Sequence, residues 1–272
     1  MELEGVRLNK FIANHTRYSR READRLIQEG KVKVNGRIET NPAYRVLPGD
    51  KVAVKGEPVK RGGKYTCIVY NKPKGELVTK KDPLGRRTIY DSLPSKFRDF
   101  RYVGRLDFAS EGVLILTDSP KIAKLLTDSD LPRVYKIKID GPITDEMVKG
   151  MVEGVEVGRA GGHPASKIES LKLKPFQNFQ ILKNGDHFST LKVAITEGKN
   201  RELRRFFEHY GRKVLDLKRL SYGWVSLNAL PTGKWRFFNR KEYKLLKEFI
   251  QWSEKQKRDQ LQQGGSDGDS NL

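Results

Sequence analysis

The sequence predicts an α+β protein: a small unit of two helices and a β segment, then a larger domain built on a mostly antiparallel mixed sheet with flanking helices. Three observations lead there. Near the start, two stretches of helical period are followed at once by alternating valines and tight-turn residues. Further along, short strand patterns such as Leu191, Val193 and Ile195, alternating with polar residues, are interspersed with isolated helical stretches. A chain of 272 residues is also too long for one small module and suits a small domain joined to a larger one.

In the first unit, residues 5–54, Leu8, Phe11 and Ile12 share one helical face. Ser19-Arg-Arg-Glu22 has the form of a capping box and starts a second helix, with Ala23, Leu26 and Ile27 inward and Gly30 suited to the left-handed position after its end. Val32 and Val34 alternate with lysines, Asn35-Gly36 is a hairpin turn, and Pro48-Gly49-Asp50 turns the chain into Val52 and Val54. Residues 55–64, rich in Gly, Pro and charge with no apolar period, read as a linker. The second domain then spans 65–252. The polar stretch 253–272 cannot bury enough apolar surface to order itself and reads as a disordered tail.

Fifty-four Lys and Arg against 34 Asp and Glu leave a formal charge of +20, spread along the whole length. Such a surface suits a polyanion, and nucleic acid ranks ahead of a membrane because no basic amphipathic anchor is present. Lys10, Arg17, Arg20, Arg21, Arg25, Lys31 and Lys33 crowd the outer faces of the first unit, more cations than a solubilising surface needs. Cys67 is the only cysteine, which excludes an intrachain disulfide and a cysteine metal cluster and points to a reducing compartment. No apolar run approaches the roughly 20 residues that span a bilayer, and the acidic start Met1-Glu-Leu-Glu is unlike a signal peptide, so a cytoplasmic protein is expected. His15, His163, His187 and His209 lack metal-ligand spacing, and neither a phosphate loop nor a nicotinamide fingerprint occurs; the expectation is no metal and no cofactor. A monomer is expected by default.

The stretch Tyr102 to Thr117 places a polar turn, with Arg105, Asp107, Ser110 and Glu111, directly before the aliphatics Val113 to Leu116. A buried strand should follow, and a carboxylate at its mouth has the rigid support that a nucleophile or general base requires. Aspartates in tight turns also commonly bond only their own backbone, and the residues alone leave both readings open. Ser110 has no nearby histidine, which speaks against a hydrolase triad. In Arg133-Val-Tyr-Lys-Ile-Lys-Ile139 the residues Tyr135, Ile137 and Ile139 share one face, so Tyr135 is first a core side chain. In a helix over 201–210, Leu203, Phe206, Phe207 and Tyr210 form the buried stripe. At about 100° per residue Arg204 lies on the flank of that stripe and Arg205 nearly opposite, which predicts Arg204 inside and Arg205 outside.

Several segments carry a resemblance. Ser19 to Gly36 resembles the RNA-binding module shared by a small-subunit ribosomal protein and tyrosyl-tRNA synthetases, over nearly all of residues 5–54. Gly104-Arg-Leu-Asp107 with Ser110-Glu-Gly112 is similar to the signature loop of pseudouridine synthases. Asn71-Lys-Pro-Lys-Gly75 is similar to their opening motif, and Glu197-Gly-Lys-Asn-Arg-Glu-Leu-Arg-Arg-Phe-Phe207 to their late helix motif, in the same order. The whole resembles the bacterial synthases of ribosomal RNA, and the large-subunit type more closely, on the long segment between Val155 and Ser189 and on the late helix.

The resemblance implies a cofactor-free isomerase that flips one uridine out of structured ribosomal RNA and reattaches its base through carbon. It implies Asp107 as the catalytic aspartate, Arg204 paired with it, and Tyr135 and Leu220 against the flipped base. Arg105 would insert where the base leaves or hold the phosphate beside it. Lys72, Lys74, Lys199, Arg201 and Arg219 would contact the RNA backbone, as would Lys10, Arg20, Arg21, Arg25 and Lys31 of the front module. One rival reading keeps the fold without the activity, as a non-catalytic RNA-binding or ribosome-assembly factor. Another is a translation-quality factor that binds tRNA.

Overall fold

Local sequence patterns build the first elements. The computed structural model describes residues 5–16, 18–47, 49–59, 65–158, 170–199 and 201–263. Arg17, Pro48, His163, Asn200, residues 60–64 of the expected linker, the acidic start and residues 264–272 of the expected tail lie outside the described residues. β1 (Val6–Arg7) leads into α1 (Leu8–His15), which buries Leu8, Phe11 and Ile12; α2 (Arg20–Gln28) buries Ala23, Leu26 and Ile27. The Glu22 amide donates to Ser19 Oγ at 3.2 Å and the Ser19 amide donates to Glu22 Oε2 at 2.7 Å, so two N–H groups at the helix start are satisfied reciprocally. β2 (Val32–Val34) turns through Asn35 and Gly36, both at positive φ, into β3 (Arg37–Ile38). β4 (Arg45–Val46) pairs with β1, and β5 (Val52–Val54) with β2.

β6 (Glu57–Pro58) folds back on β5, with Ala53 opposite Pro58. Pairing therefore reaches into the stretch read as linker. Lys55 and Gly56 both adopt positive φ, the same turn geometry as Asn35-Gly36, and so reverse the chain. The front elements share a core of their own, formed by the buried faces of α1 and α2 with the valines of β2, β4 and β5.

The second core lies on a larger sheet. Its strands are β7 (Cys67–Lys72), β8 (Arg101–Tyr102), β9 (Glu111–Thr117), β10 (Arg133–Asp140), β13 (Asn178–Lys183), β14 (Phe188–Ile195), β15 (Val214–Tyr222), β16 (Val225–Ser226) and β17 (Trp235–Phe237), while β11 (Val155–Val157) and β12 (Leu171–Leu173) form a separate ribbon. Among the described residues this nine-stranded sheet has the path β13-β14-β10-β15-β9-β7-β17, with β16 beside β15 and β8 beside β9. β9 and β15 run parallel, while the pairs β13–β14, β14–β10, β10–β15 and β9–β7 are antiparallel, as a mixed and mostly antiparallel sheet requires. Flanking helices are α3 (Ile89–Ser92), α4 (Pro120–Thr127), α5 (Asp145–Glu153) and α6 (Glu202–His209). Tyr135, Ile137 and Ile139 of β10, Leu191, Val193 and Ile195 of β14, and Leu203, Phe206 and Phe207 of α6 meet in one cluster.

Two units divide the chain, Met1–Arg236 and Phe237–Leu272. In the second, α7 (Arg240–Gln263) continues past Ser253, where the sequence reading begins a disordered tail. Glu, Lys, Gln and Arg are strong helix formers, so the helix propagates through residues that bury little. Among the described residues no helix is long and apolar enough to cross a membrane.

Candidate active site

The parallel pairing of β9 with β15 brings the turn before β9 to the middle of the sheet. Gly112 lies opposite Arg219 across that pair. It holds φ +109°, and a Cβ there would stand 2.1 Å from the Arg219 carbonyl oxygen, so the close approach requires glycine. The preceding turn is closed by the Ser110 amide donating to the Asp107 carbonyl at 3.0 Å. Asp107 thus sits at the mouth of a buried strand, as the spacing predicts, on one wall of a cleft of about 160 Å³.

Across the cleft, Arg204 Nε stands 3.5 Å from Asp107 Oδ2, and Arg201 Nη1 stands 3.9 Å from the same oxygen. Arg204 is held by its other nitrogens: Nη1 donates to the Val214 carbonyl at 3.3 Å, and Nη2 to the Ala109 carbonyl at 3.3 Å and Ser110 Oγ at 3.2 Å. Burial pulls its guanidinium below the ordinary arginine value, and the Asp107 carboxylate opposes that shift. Arg201 reaches Asp107 from a left-handed backbone, φ +50°, at the N-terminus of α6. The sequence reading made it an RNA contact; the fold makes it a second cation beside the carboxylate. Arg205, expected outside, is 2% exposed. The helical phase was sound, but α6 is covered on both faces, with every residue from Glu202 to Phe207 buried.

Lys72 departs furthest from expectation. Read as a phosphate contact, it is fully buried, and its Nζ donates to the carbonyls of Pro73 at 2.9 Å, Asp107 at 3.2 Å and Ser110 at 2.8 Å. Three carbonyl oxygens take up its three donors, which compensates for removing an ammonium from water. Burial lowers it to about 8. Lys72 therefore pins the Asp107 turn from beneath and cannot reach RNA.

Leu220 is displaced by a β-bulge. Val134 pairs with Ser221 and Tyr135 with Arg219, so Leu220 is the extra residue on β15 and lies opposite nothing on β10. The aliphatic residue that lines the cleft from this strand is Leu217, beside Arg219 and Tyr222. Tyr135, 7% exposed, lines the cleft from β10 while its neighbours on that face build the core, and Arg219 Nη1 stands 3.5 Å from its hydroxyl. Arg219, another expected RNA contact, is buried behind that hydroxyl, and its Nε donates to the Val113 carbonyl at 2.7 Å. Missed altogether was Arg133, which is buried at the cleft, lies over the Tyr222 ring and donates to the Tyr222 hydroxyl at 2.7 Å. Its place as the first residue of an alternating strand carried the signal, but an arginine on the buried face reads as an exception until its partners are known.

Arg105 and Lys199 also line the cleft. Arg105 is exposed at the rim, whereas Lys199 Nζ is engaged by Glu197 Oε2 at 2.7 Å. Lys74 is half-exposed and pairs with Asp216 at 2.6 Å. Glu202, buried at the start of α6, has its carboxyl pushed above the usual range by burial. With Arg105, Arg133, Lys199, Arg201, Arg204 and Arg219 against Asp107 and Glu202, the cleft attracts an anionic chain and offers it one partly open carboxylate. On the front module Lys10, Arg20, Arg21, Arg25 and Lys31 are all exposed.

Residues 66–209 match the family model for RNA pseudouridylate synthase, and residues 6–52 match the S4 domain. The chain is 48% identical over 254 residues to an RNA pseudouridine synthase of Helicobacter pylori, covering 92% of this chain and 97% of that protein. It is 34% identical over 259 residues to ribosomal large subunit pseudouridine synthase B of Vibrio cholerae, covering 90% of this chain and 75% of that one. The crystal structure of a pseudouridylate synthase superposes with a TM-score of 0.61 at 24% identity, over 89% of this chain and 99% of that chain, which is a likeness of fold.

Proposed function

The chain belongs to the RNA pseudouridylate synthase family, and from that premise we propose that it isomerises one particular uridine of ribosomal RNA, with Asp107 acting on the nucleoside. The carboxylate held between Arg204 and Arg201 in a basic cleft is the single observation that carries this reading. The reaction breaks the bond from the sugar carbon to the base nitrogen, turns the base, and joins the same sugar carbon to a base carbon. The proton lost from that base carbon is balanced by one gained on nitrogen, so nothing is oxidised, reduced or consumed. Attack by Asp107 on the sugar carbon and removal of a sugar proton both require the ionised carboxylate, and two guanidinium groups complement that charge.

Extruding the uridine costs a few kcal/mol of stacking, least in a loop or bulge, which the ring of Tyr135 and the basic cleft offset. Leu217, with its neighbours Arg219 and Tyr222 in the cleft wall, takes the aliphatic role expected of Leu220. Likeness to the Vibrio cholerae enzyme supports the large subunit as the source of the RNA. The exposed cations of the front module then dock the RNA, and the protein acts as a cytoplasmic monomer.

The test is to map pseudouridine in ribosomal RNA by carbodiimide-dependent reverse-transcription stops, with and without this protein. One stop lost without the protein, restored by the wild-type chain and not by Asp107→Asn, is the expected result. Restoration by Asp107→Asn would remove Asp107 from the chemistry, and a purified protein that also leaves uridine unchanged would leave only the RNA-binding reading.

A further inference from the structure

Phe108 follows Asp107 directly and is 46% exposed, in a turn where Leu106 is buried, Asp107 meets Arg204, and Ser110 is buried against Arg204 Nη2. This exposure is not looseness. The Phe108 carbonyl accepts from the Gly75 amide at 2.8 Å, and Lys72 Nζ holds the carbonyls on either side, those of Asp107 and Ser110. A fixed backbone therefore keeps a large apolar ring in water beside the reacting group. Phe108 does not line the cleft, so it stands outside the space open to the target nucleoside. Consecutive Cα atoms are about 3.8 Å apart, so the backbone that carries the ring adjoins the one that carries the carboxylate.

We propose that Phe108 stacks on the base next to the extruded uridine and holds that strand in place while the nucleoside occupies the cleft. This rests on the reading that Asp107 acts on a flipped uridine. A nucleobase is the occupant because the surroundings are those of an RNA track: Arg105 is exposed at the cleft rim three residues before Phe108, half-exposed Lys74 precedes the Gly75 amide that holds the ring's backbone, and the chain carries +20 overall. A π-face accepts any base, so the contact tolerates whatever sequence flanks the target.

The experiment uses the full chain and a ribosomal RNA fragment carrying the mapped uridine, with 2-aminopurine placed at the 5′ or the 3′ neighbour. In an Asp107→Asn background, binding should quench the fluorophore at one of these positions. The quench should vanish with Phe108→Ala and persist with Phe108→Trp. With Asp107 restored, Phe108→Ala should lower kcat/KM about five- to hundredfold, Phe108→Trp should stay near wild type, and Phe108→Leu should fail to rescue. The melting temperature should be unchanged throughout, since the ring is half in water. Wild-type turnover by Phe108→Ala would overturn the proposal, and so would rescue by leucine, which marks an apolar cover or a protein contact instead of a stack. A wild-type chain that forms no pseudouridine in the fragment overturns the isomerase reading and this proposal with it, a result distinct from an active enzyme indifferent to Phe108.

Discussion

Arg204 Nε lies 3.5 Å from Asp107 Oδ2, while the rest of the guanidinium is anchored to the carbonyls of Val214 and Ala109 and to Ser110 Oγ. One side chain thus orients the carboxylate and ties α6 to the turn that carries it. Arg204→Met keeps much of the apolar stem and removes the donors; it is expected to lower kcat by about 10²- to 10³-fold, the range seen when one preorganised charge-stabilising donor is removed. Arg201, farther away at 3.9 Å and more exposed, should matter less. Single-turnover rates on the mapped RNA decide this, and Arg201→Ala proving the more damaging change would refute the assignment.

Lys72 is expected to link activity to pH. Burial lowers its ammonium from 10.5 to about 8, so between those values the unfolded chain holds the proton and the folded chain does not. Rising pH therefore favours folding through this group. The neutral amine, however, has one donor too few for three carbonyls, and the Asp107 turn loses part of its support. Activity is expected to fall with an apparent pKa near 8 without a parallel fall in melting temperature. Lys72→Met, which has no donor, should be about tenfold slower or worse and lack that alkaline limb. An alkaline limb that survives in Lys72→Met belongs to another group.

Gly112 sets the spacing of β9 and β15. An alanine would put Cβ 2.1 Å from the Arg219 carbonyl oxygen at φ +109°, and neither the backbone nor its partner strand can give way without moving the turn. Gly112→Ala is expected to cost about 3 kcal/mol or more, read as a lower denaturation midpoint, and to reduce turnover beyond the unfolded fraction. A variant as stable as wild type would mean that the two strands separate easily.

Much of this was legible because it is local. The capping box at Ser19 and Glu22 and the hairpin at Asn35-Gly36 depend on residues within one turn, and the inward flank of Arg204 follows from helical phase alone. What escaped depends on distant chain. Phase tells which residues share a face of α6 but not how many faces are covered, so Arg205 was placed in solvent. Nothing near Lys72 in sequence shows that the carbonyls of Asp107 and Ser110 converge on it. A motif match points to Leu220 by position along the chain, and it cannot show that a bulge in β15 leaves Leu220 without a partner on β10 while Leu217 lines the cleft.

Arg20, Arg21 and Arg25 are exposed on α2, and Arg25 makes a solvent-exposed contact with Glu29 at 3.7 Å. Their replacement by alanine leaves the buried face of Ala23, Leu26 and Ile27 and the Ser19–Glu22 capping box untouched, so stability should change by less than about 0.5 kcal/mol per site. If they contact phosphates, each contributes counterion release. The slope of log affinity against log salt should then become shallower by about 0.7 to 0.9 for each arginine removed. Turnover at saturating RNA should stay close to wild type, because these residues lie on α2 whereas Asp107, Arg204 and Tyr135 line the cleft. Filter binding across a salt series separates the cases: an unchanged slope in the triple variant would mean that α2 faces away from RNA and that docking falls to the cations around the cleft.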